Sequence, residues 1–473
     1  MRGAGAEQFD SGGAGSSGNP AGGDRAGARL GARKPALPKP ALVVVVVVAG
    51  YALFMVNQFI WLHSPTVFSR VDPTSYERWA PYAISLLSTQ VLVLVAGGAL
   101  AAGKMRPSGR IAAPGAAACI CLALAEAFVL ADPGHPAAQP GRWLVAGMAA
   151  FYGMGAGLFF LGWAQVFSAM SLRHLYRLLI SAYLLGLLIY LLAISLPGIT
   201  LIPISILAAL MSAALLLVFQ NSSLGAARAG PGNAATESAP LTEPAPTTEP
   251  APTTVAGLTG PAPITGTQSP SGASKPAAEP LRSALIQAFR LCWRGLLITA
   301  SLAFMSGLVS QVSGQEQLPL ESFQQVSIIA SLLVVAILLL SELLLKRPLD
   351  ITAAYRLALP ISAGGFLLLP FALNVLPGIT NALVHMGYMT VSIPFLYLLA
   401  VTTAQTHLPA PTVFGGGLAV VALANLTGIG LGFAAGGALT QGPLTLAAVA
   451  LAALYALSMV SLLLLRRQRP APD

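Results

Sequence analysis

Residues 41–62 read ALVVVVVVAGYALFMVNQFIWL and hold no charged side chain. About 20 apolar residues make a helix long enough to cross the hydrocarbon of a bilayer. In that solvent every backbone N–H and C=O must be satisfied within the segment, so such a run reads as a helix. The pattern recurs at 81–101, 111–131, 144–168, 178–196, 199–220, 295–313, 324–345, 353–374, 380–404, 414–437 and 443–465. The turns SLPGIT (195–200) and VLPGIT (375–380) carry Pro-Gly breaks that divide what would otherwise be overlong helices. The fold class is therefore an all-α membrane protein of about twelve transmembrane helices.

Only 9% of the 473 residues are charged, against about 25% in a soluble protein. The mean hydropathy of +0.75 agrees. Residues 1–40 are rich in Gly, Ala and Ser with no periodic pattern, and read as a disordered leader before a retained first span. Residues 221–284 break the membrane pattern again. Between 221 and 280 lie 11 prolines and no Phe, Trp or Tyr, with TEPAPT in tandem at 242–253. Such a segment buries too little apolar area to offset its chain entropy and reads as a disordered, extended linker. It separates a six-helix half at 41–220 from a second at 285–466, followed by a tail at 467–473.

The net charge of +9 raises the question of nucleic acid. The placement of the cations answers it. With the N-terminus inside, 22 of the 25 Lys and Arg residues fall on inner segments, and only Arg70, Arg78 and Arg142 fall outside. Cytoplasmic loops retain Lys and Arg, so the split predicts an inner-membrane protein with both termini cytoplasmic and no nucleic-acid partner. Trp61, Trp79, Tyr82 and Trp143 fall at predicted outer interfaces, where amphipathic rings sit well. Residues 281–294, LRSALIQAFRLCWR, read either as a helix on the inner membrane surface or as the lead into the seventh span.

Enzyme signals do not occur: there is no Walker loop, no paired carboxylates and no zinc-protease helix motif. No enzyme activity, metal or cofactor is expected. Cys119, Cys121 and Cys292 read as small buried apolar residues, the first two pointing to different sides of one helix.

Polar groups inside spans are the functional pointers, because they are costly in lipid. Span 1 has Asn57 and Gln58, span 3 Glu126, span 4 Tyr152, span 7 Ser301 and Gln311, span 10 His385 and Tyr388, and span 11 Asn425. Glycines at a four-residue step, Gly153 and Gly157 in span 4 and Gly428, Gly432 and Gly436 in span 11, let helices approach closely, within the bundle or at a homodimer seam. An imidazole in a span is a candidate for moving or sensing a proton, as is a lone carboxylate, which makes His385 and Glu126 the coupling candidates.

The stretch GGALAAGKMRPSGRI (97–111) lies between spans 2 and 3. Six plus six spans with a long central loop resemble the major facilitator superfamily, and this stretch resembles that family's loop motif G-x-L-A-D-R-x-G-R-R. Gly98, Leu100, Ala101, Gly109 and Arg110 can be laid on it, with Lys104 and Arg106 as its further cations. The position of the motif's Asp holds Ala102. LLLKRPLD (343–350) is a weak echo in the second half. The resemblance implies a secondary transporter of a small molecule, with spans 1, 4, 7 and 10 lining a central cavity. It selects Asn57, Gln58, Tyr152, Ser301, Gln311, His385 and Tyr388 as cavity residues and sets Glu126 outside. A second, local resemblance joins residues 152–193 to the membrane region of bacterial LuxR-type regulators. It implies the alternative of a membrane ligand sensor working with a separate regulator protein, because no helix-turn-helix follows the last span.

Overall fold

The computed structural model describes residues 40–63, 76–103, 115–117, 119–121, 123–124, 142–195, 201–221, 281–314, 320–345, 351–372, 378–439 and 443–465. The leader, the linker to residue 280, the tail, Glu126 and loop residues Lys104, Arg106, Gly109 and Arg110 lie outside them. The first half contains α1 (Pro40–His63), α2 (Tyr76–Ala102), α3 (Arg142–Ala169), α4 (Leu172–Ile194) and α5 (Leu201–Asn221), with helical residues between 115 and 124 in the third span. The second half contains α6 (Leu281–Gly314), α7 (Leu320–Leu345), α8 (Ile351–Ala372), α9 (Ile379–Thr406), α10 (Ala410–Leu439) and α11 (Pro443–Leu465). Among the described residues, nine helices are long and apolar enough to cross a membrane, and shorter apolar helical stretches run at 353–369 and 450–462.

Several helices start earlier than the sequence expectation, α2, α7 and α10 by four or five residues and α4 and α6 by more. α4 begins at Leu172 rather than 178, so Arg173 and Arg177 stand on the helix and not in a loop. Ser171 sits ahead of it in extended backbone, and its hydroxyl meets His174 Nδ1 at 2.9 Å. α6 begins at Leu281 rather than 295. Hydropathy marks where the lipid begins, whereas a helix continues as long as its residues favour helix, and the residues of 281–294 do. That segment is thus continuous with the seventh span rather than a separate surface helix.

Aromatic rings fill the first half. Tyr51 on α1 meets Phe167 on α3 edge-on at 4.9 Å and Tyr183 on α4 at 5.9 Å, and Phe54 stacks on Phe159 at 5.2 Å. These large rings explain why Gly50 is small: a Cβ there would meet the Trp163 ring at 2.6 Å. The second half packs through small residues instead. α10 runs along α6, and Gly428 faces the backbone of Phe304 and Leu308, while Gly432 faces the Gln311 side chain. The span-4 glycines work the same way: Gly153 abuts the Leu86 carbonyl on α2 and Gly157 abuts Val93. These four glycines face neighbours within the chain, and the surroundings of Gly436 lie outside the described residues. Cys119 and Cys292 are buried, but Cys121 is exposed, contrary to the expectation that all three are interior.

The two halves meet where α2 and α3 pack on α10, and where α4 packs on α7 and α9.

Candidate functional site

Three of the expected cavity residues come together in the first half. Asn57 and Gln58 follow one another on α1, and Tyr152 approaches from α3. Gln58 Nε2 donates to the Tyr152 hydroxyl at 2.7 Å, which donates to Asn57 Oδ1 at 2.9 Å. Asn57 Nδ2 donates onward to Ser205 Oγ on α5 at 2.7 Å and to the Ser205 carbonyl at 3.2 Å. Trp61 Nε1, one turn beyond Asn57 on the same face of α1, donates to the same Oγ at 2.9 Å. Both lone pairs of that oxygen are thereby used. The Tyr82 hydroxyl of α2 donates to the Trp61 carbonyl at 3.3 Å, and the Trp61 ring stacks on Tyr152 at 4.8 Å.

All six side chains are buried. A buried polar cluster is stable only when its members satisfy one another, and this one ties α1, α2, α3 and α5 into a unit. Its members satisfy one another in the buried interior of the first half. Trp61 and Tyr82, expected in an outer aromatic belt, are inside it. Sequence reasoning missed Ser205, whose only signal is a lone hydroxyl in the apolar run LIPISILAAL.

The second half builds no such cluster from its candidates. The Ser301 hydroxyl donates to the Leu297 carbonyl of its own helix at 2.7 Å. Gln311 lies ten residues further along α6, about 15 Å away, and is buried with its Oε1 unpartnered among the described residues. His385 and Tyr388 share a face of α9, their rings 6.2 Å apart, and both keep part of their surface open. Asn425 on α10 backs onto Gly307 of α6. Asn381 Nδ2 on α9 donates to Ser327 Oγ on α7 at 2.7 Å, a pair that sequence reading did not single out.

A second set of contacts joins the halves. Arg177 Nε on α4 pairs with Glu342 Oε1 on α7, the one ion pair among the described residues. The Glu342 side chain is 5% exposed and the Arg177 side chain 51%. The second oxygen of Glu342 is buried without a partner among the described residues. Nearby elements cross in the same way. The Thr412 hydroxyl on α10 donates to the Gly98 carbonyl on α2 at 3.1 Å, and a Cβ on Gly98 would meet the Pro411 carbonyl at 3.2 Å. Gly415 faces the Leu94 carbonyl. Tyr176 meets Tyr397 edge-on at 5.6 Å, and Phe167 lies 6.3 Å from Phe414.

Gly98, Phe167 and Glu342 lie near the ends of α2, α3 and α7, and Tyr176, Arg177, Thr412 and Phe414 near the starts of α4 and α10. These contacts therefore gather at one end of the bundle. Glu342 went unnoticed in the sequence because it stands three residues before the end of its span, where an acid reads as a boundary. Of the loop motif, Gly98, Leu100 and Ala101 are described, and Gly98 serves as a backbone platform for α10. Among the described residues no three His, Cys, Asp or Glu side chains come together as a metal site would require.

No protein-family model and no curated protein matches the chain. Solved structures do. A bacterial homologue of the iron transporter ferroportin in an outward-facing state gives a TM-score of 0.53 at 15% identity, over 90% of this chain and 98% of that one. The human organic anion transporter MFSD10 gives 0.52 at 16% identity, over 89% and 100%. The fucose:proton symporter of E. coli gives 0.50 at 12% identity, over 90% and 99%. At these identities the likeness shows the fold alone, the one that these three structures share. None of these structures bears on the likeness of residues 152–193 to LuxR-type regulators.

Proposed function

We propose that the chain is a secondary transporter of a small molecule, working by rocking its two halves about a central site. The observation that carries this reading is that the ion pair Arg177–Glu342 and the Thr412–Gly98 bond between the halves lie toward one end of their helices. Two internally bonded bodies pinned toward one end can rock about that contact, which is the geometry that alternating access uses. The ferroportin homologue, whose fold the chain shares, is outward-facing. The charge split of the sequence would put the Arg177 end in the cytoplasm of a cell-membrane protein, so the present arrangement would open outward. The fold neighbours carry iron, organic anions and fucose respectively, so the fold assigns no substrate.

Within this reading His385 and Tyr388 are the better cavity candidates, because they keep open surface on α9 and α9 packs on α4 of the other half. His385 is the residue proposed to take a proton during transport, with Glu126 a second candidate. Asn57, Gln58 and Tyr152 act instead by holding α1, α3 and α5 as one rocking body. The comparisons give the sensor reading no support.

The test is a lock. In a cysteine-free background, cysteines at 177 and 342 should form a disulfide on mild oxidation in proteoliposomes. Labelling of a cysteine at position 412, which faces Gly98, by a membrane-impermeant maleimide added from the cytoplasmic side should occur in the reduced protein and fall at least fivefold once the bond forms. Equal labelling in both states would end the rocking proposal.

A further inference from the structure

α6 is 34 residues long, about 51 Å, while a bilayer's hydrocarbon is about 30 Å thick. The excess of about 14 residues matches the charged stretch at its start, 281–294, which falls in or beyond the headgroup layer. Their chemistry is unlike that of a water-facing helix. Leu281, Leu285, Ile286, Phe289 and Leu291 are all exposed, Phe289 to 60%. Arg282 and Arg290 are exposed as well, and the whole helix contains no Asp or Glu. Among the described residues no acid pairs with either arginine. Arg294, one turn beyond Arg290 and on the same face, places its guanidinium 5.6 Å from the Trp293 ring centroid.

Exposed apolar groups and unpaired guanidinium groups on one short stretch call for a surface that is itself apolar below and anionic above. Trp293, flanked by Arg290 and Arg294, matches the layering of a bilayer face, where Trp sits at headgroup level and long cations reach for phosphate. We propose that the start of α6, centred on Phe289, Arg290, Trp293 and Arg294, is a binding surface for anionic phospholipid. Arg290 and Arg294 hold the headgroup phosphate, Arg being suited to bidentate phosphate contacts, and Phe289 and Trp293 lie against the headgroup layer beside them. Because α6 also packs along α10, which crosses to the other half, lipid held there would bear on a helix that joins the two bodies. The inference is independent of whether the chain transports anything.

The test uses the purified full chain in mixed micelles containing phosphatidylglycerol or phosphatidylcholine, with retained lipid counted by native mass spectrometry and inorganic phosphate as a third arm. The wild type should retain phosphatidylglycerol at least tenfold over phosphatidylcholine, with no displacement by phosphate. Two cations at roughly 1 kcal/mol each correspond to a loss of about 30-fold in Arg290→Gln/Arg294→Gln. Arg290→Lys/Arg294→Lys should keep most of the retention. The exposed single variant Arg290→Gln, expected to lose about fivefold, serves if the double variant folds poorly. Equal retention of the two lipids, displacement by phosphate alone, or Gln variants that hold phosphatidylglycerol like the wild type would each overturn the proposal.

Discussion

The first and fifth helices of each half meet across a glycine. In the first half a Cβ on Gly186 of α4 would lie 3.0 Å from the Ala52 carbonyl of α1; in the second, Gly428 of α10 abuts the Phe304 carbonyl of α6. At other equivalent pairs the halves diverge. The second and fourth helices are joined by the close approach of Gly153 to Leu86 in the first half, but by the Asn381–Ser327 hydrogen bond in the second. The first and fourth helices are joined by the Gln58–Tyr152 bond in the first half, whereas Ser301, the hydroxyl on α6, spends its bond on its own helix. Polar bonding in the first half is thus concentrated in one satisfied node, and in the second it is dispersed. In lipid the hydrophobic effect gives helices no reason to associate, so packing and interhelical hydrogen bonds must do it. The two halves are two solutions to that requirement, one polar and aromatic, the other built on close backbone approach.

The largest expected effect tests the glycine solution. Gly428→Leu should sharply reduce the yield and melting temperature of the full chain, at or above the upper end of the ~1–3 kcal/mol that overpacking costs, because its side chain meets backbone and not a movable rotamer. Gly430→Leu, two residues away with nothing within 4 Å of its Cβ, should melt like the wild type. Similar losses from both would mean that the α6–α10 approach is not what holds the second half.

A smaller effect sharpens the polar solution. Tyr152→Phe leaves Asn57 Oδ1 and Gln58 Nε2 each short of a buried partner, at about 1–3 kcal/mol. Ser301→Ala in the second half should cost under about 0.5 kcal/mol, since its hydroxyl satisfies only its own helix. If thermal melts rank these two the other way, the node in the first half is not its anchor.

Much of this architecture was legible in the sequence because lipid imposes one rule per span. The expected end of span 1 at 62 and its helix end at His63 differ by one residue, and span 12 matches α11 at both ends. Legibility failed where a helix outruns the lipid, as α6 does by fourteen residues, because hydropathy records the solvent and not the backbone. It failed again where a residue type has two homes. Trp61 suits a headgroup layer and equally a buried ring with a hydrogen-bond acceptor, and only the position of Ser205 decides between them. The candidate site was half legible: Asn57, Gln58 and Tyr152 were found, but their joint role follows from partners two or more spans away. Glu342 was hidden because an acid near a span end is ordinary until an arginine from the other half is placed against it.

If the halves are pinned at the Arg177 end and part at the other, α4 and α7 report on it directly. Spin labels at the exposed positions 173 and 344 flank the ion pair, while labels at 195 and 326 sit on the same two helices about 25 Å away along their axes. Double electron–electron resonance on the full chain in nanodiscs should give a short, narrow distance distribution for 173/344 and a longer, broader one for 195/326. A short, narrow distribution for 195/326 together with a long one for 173/344 would contradict the claim.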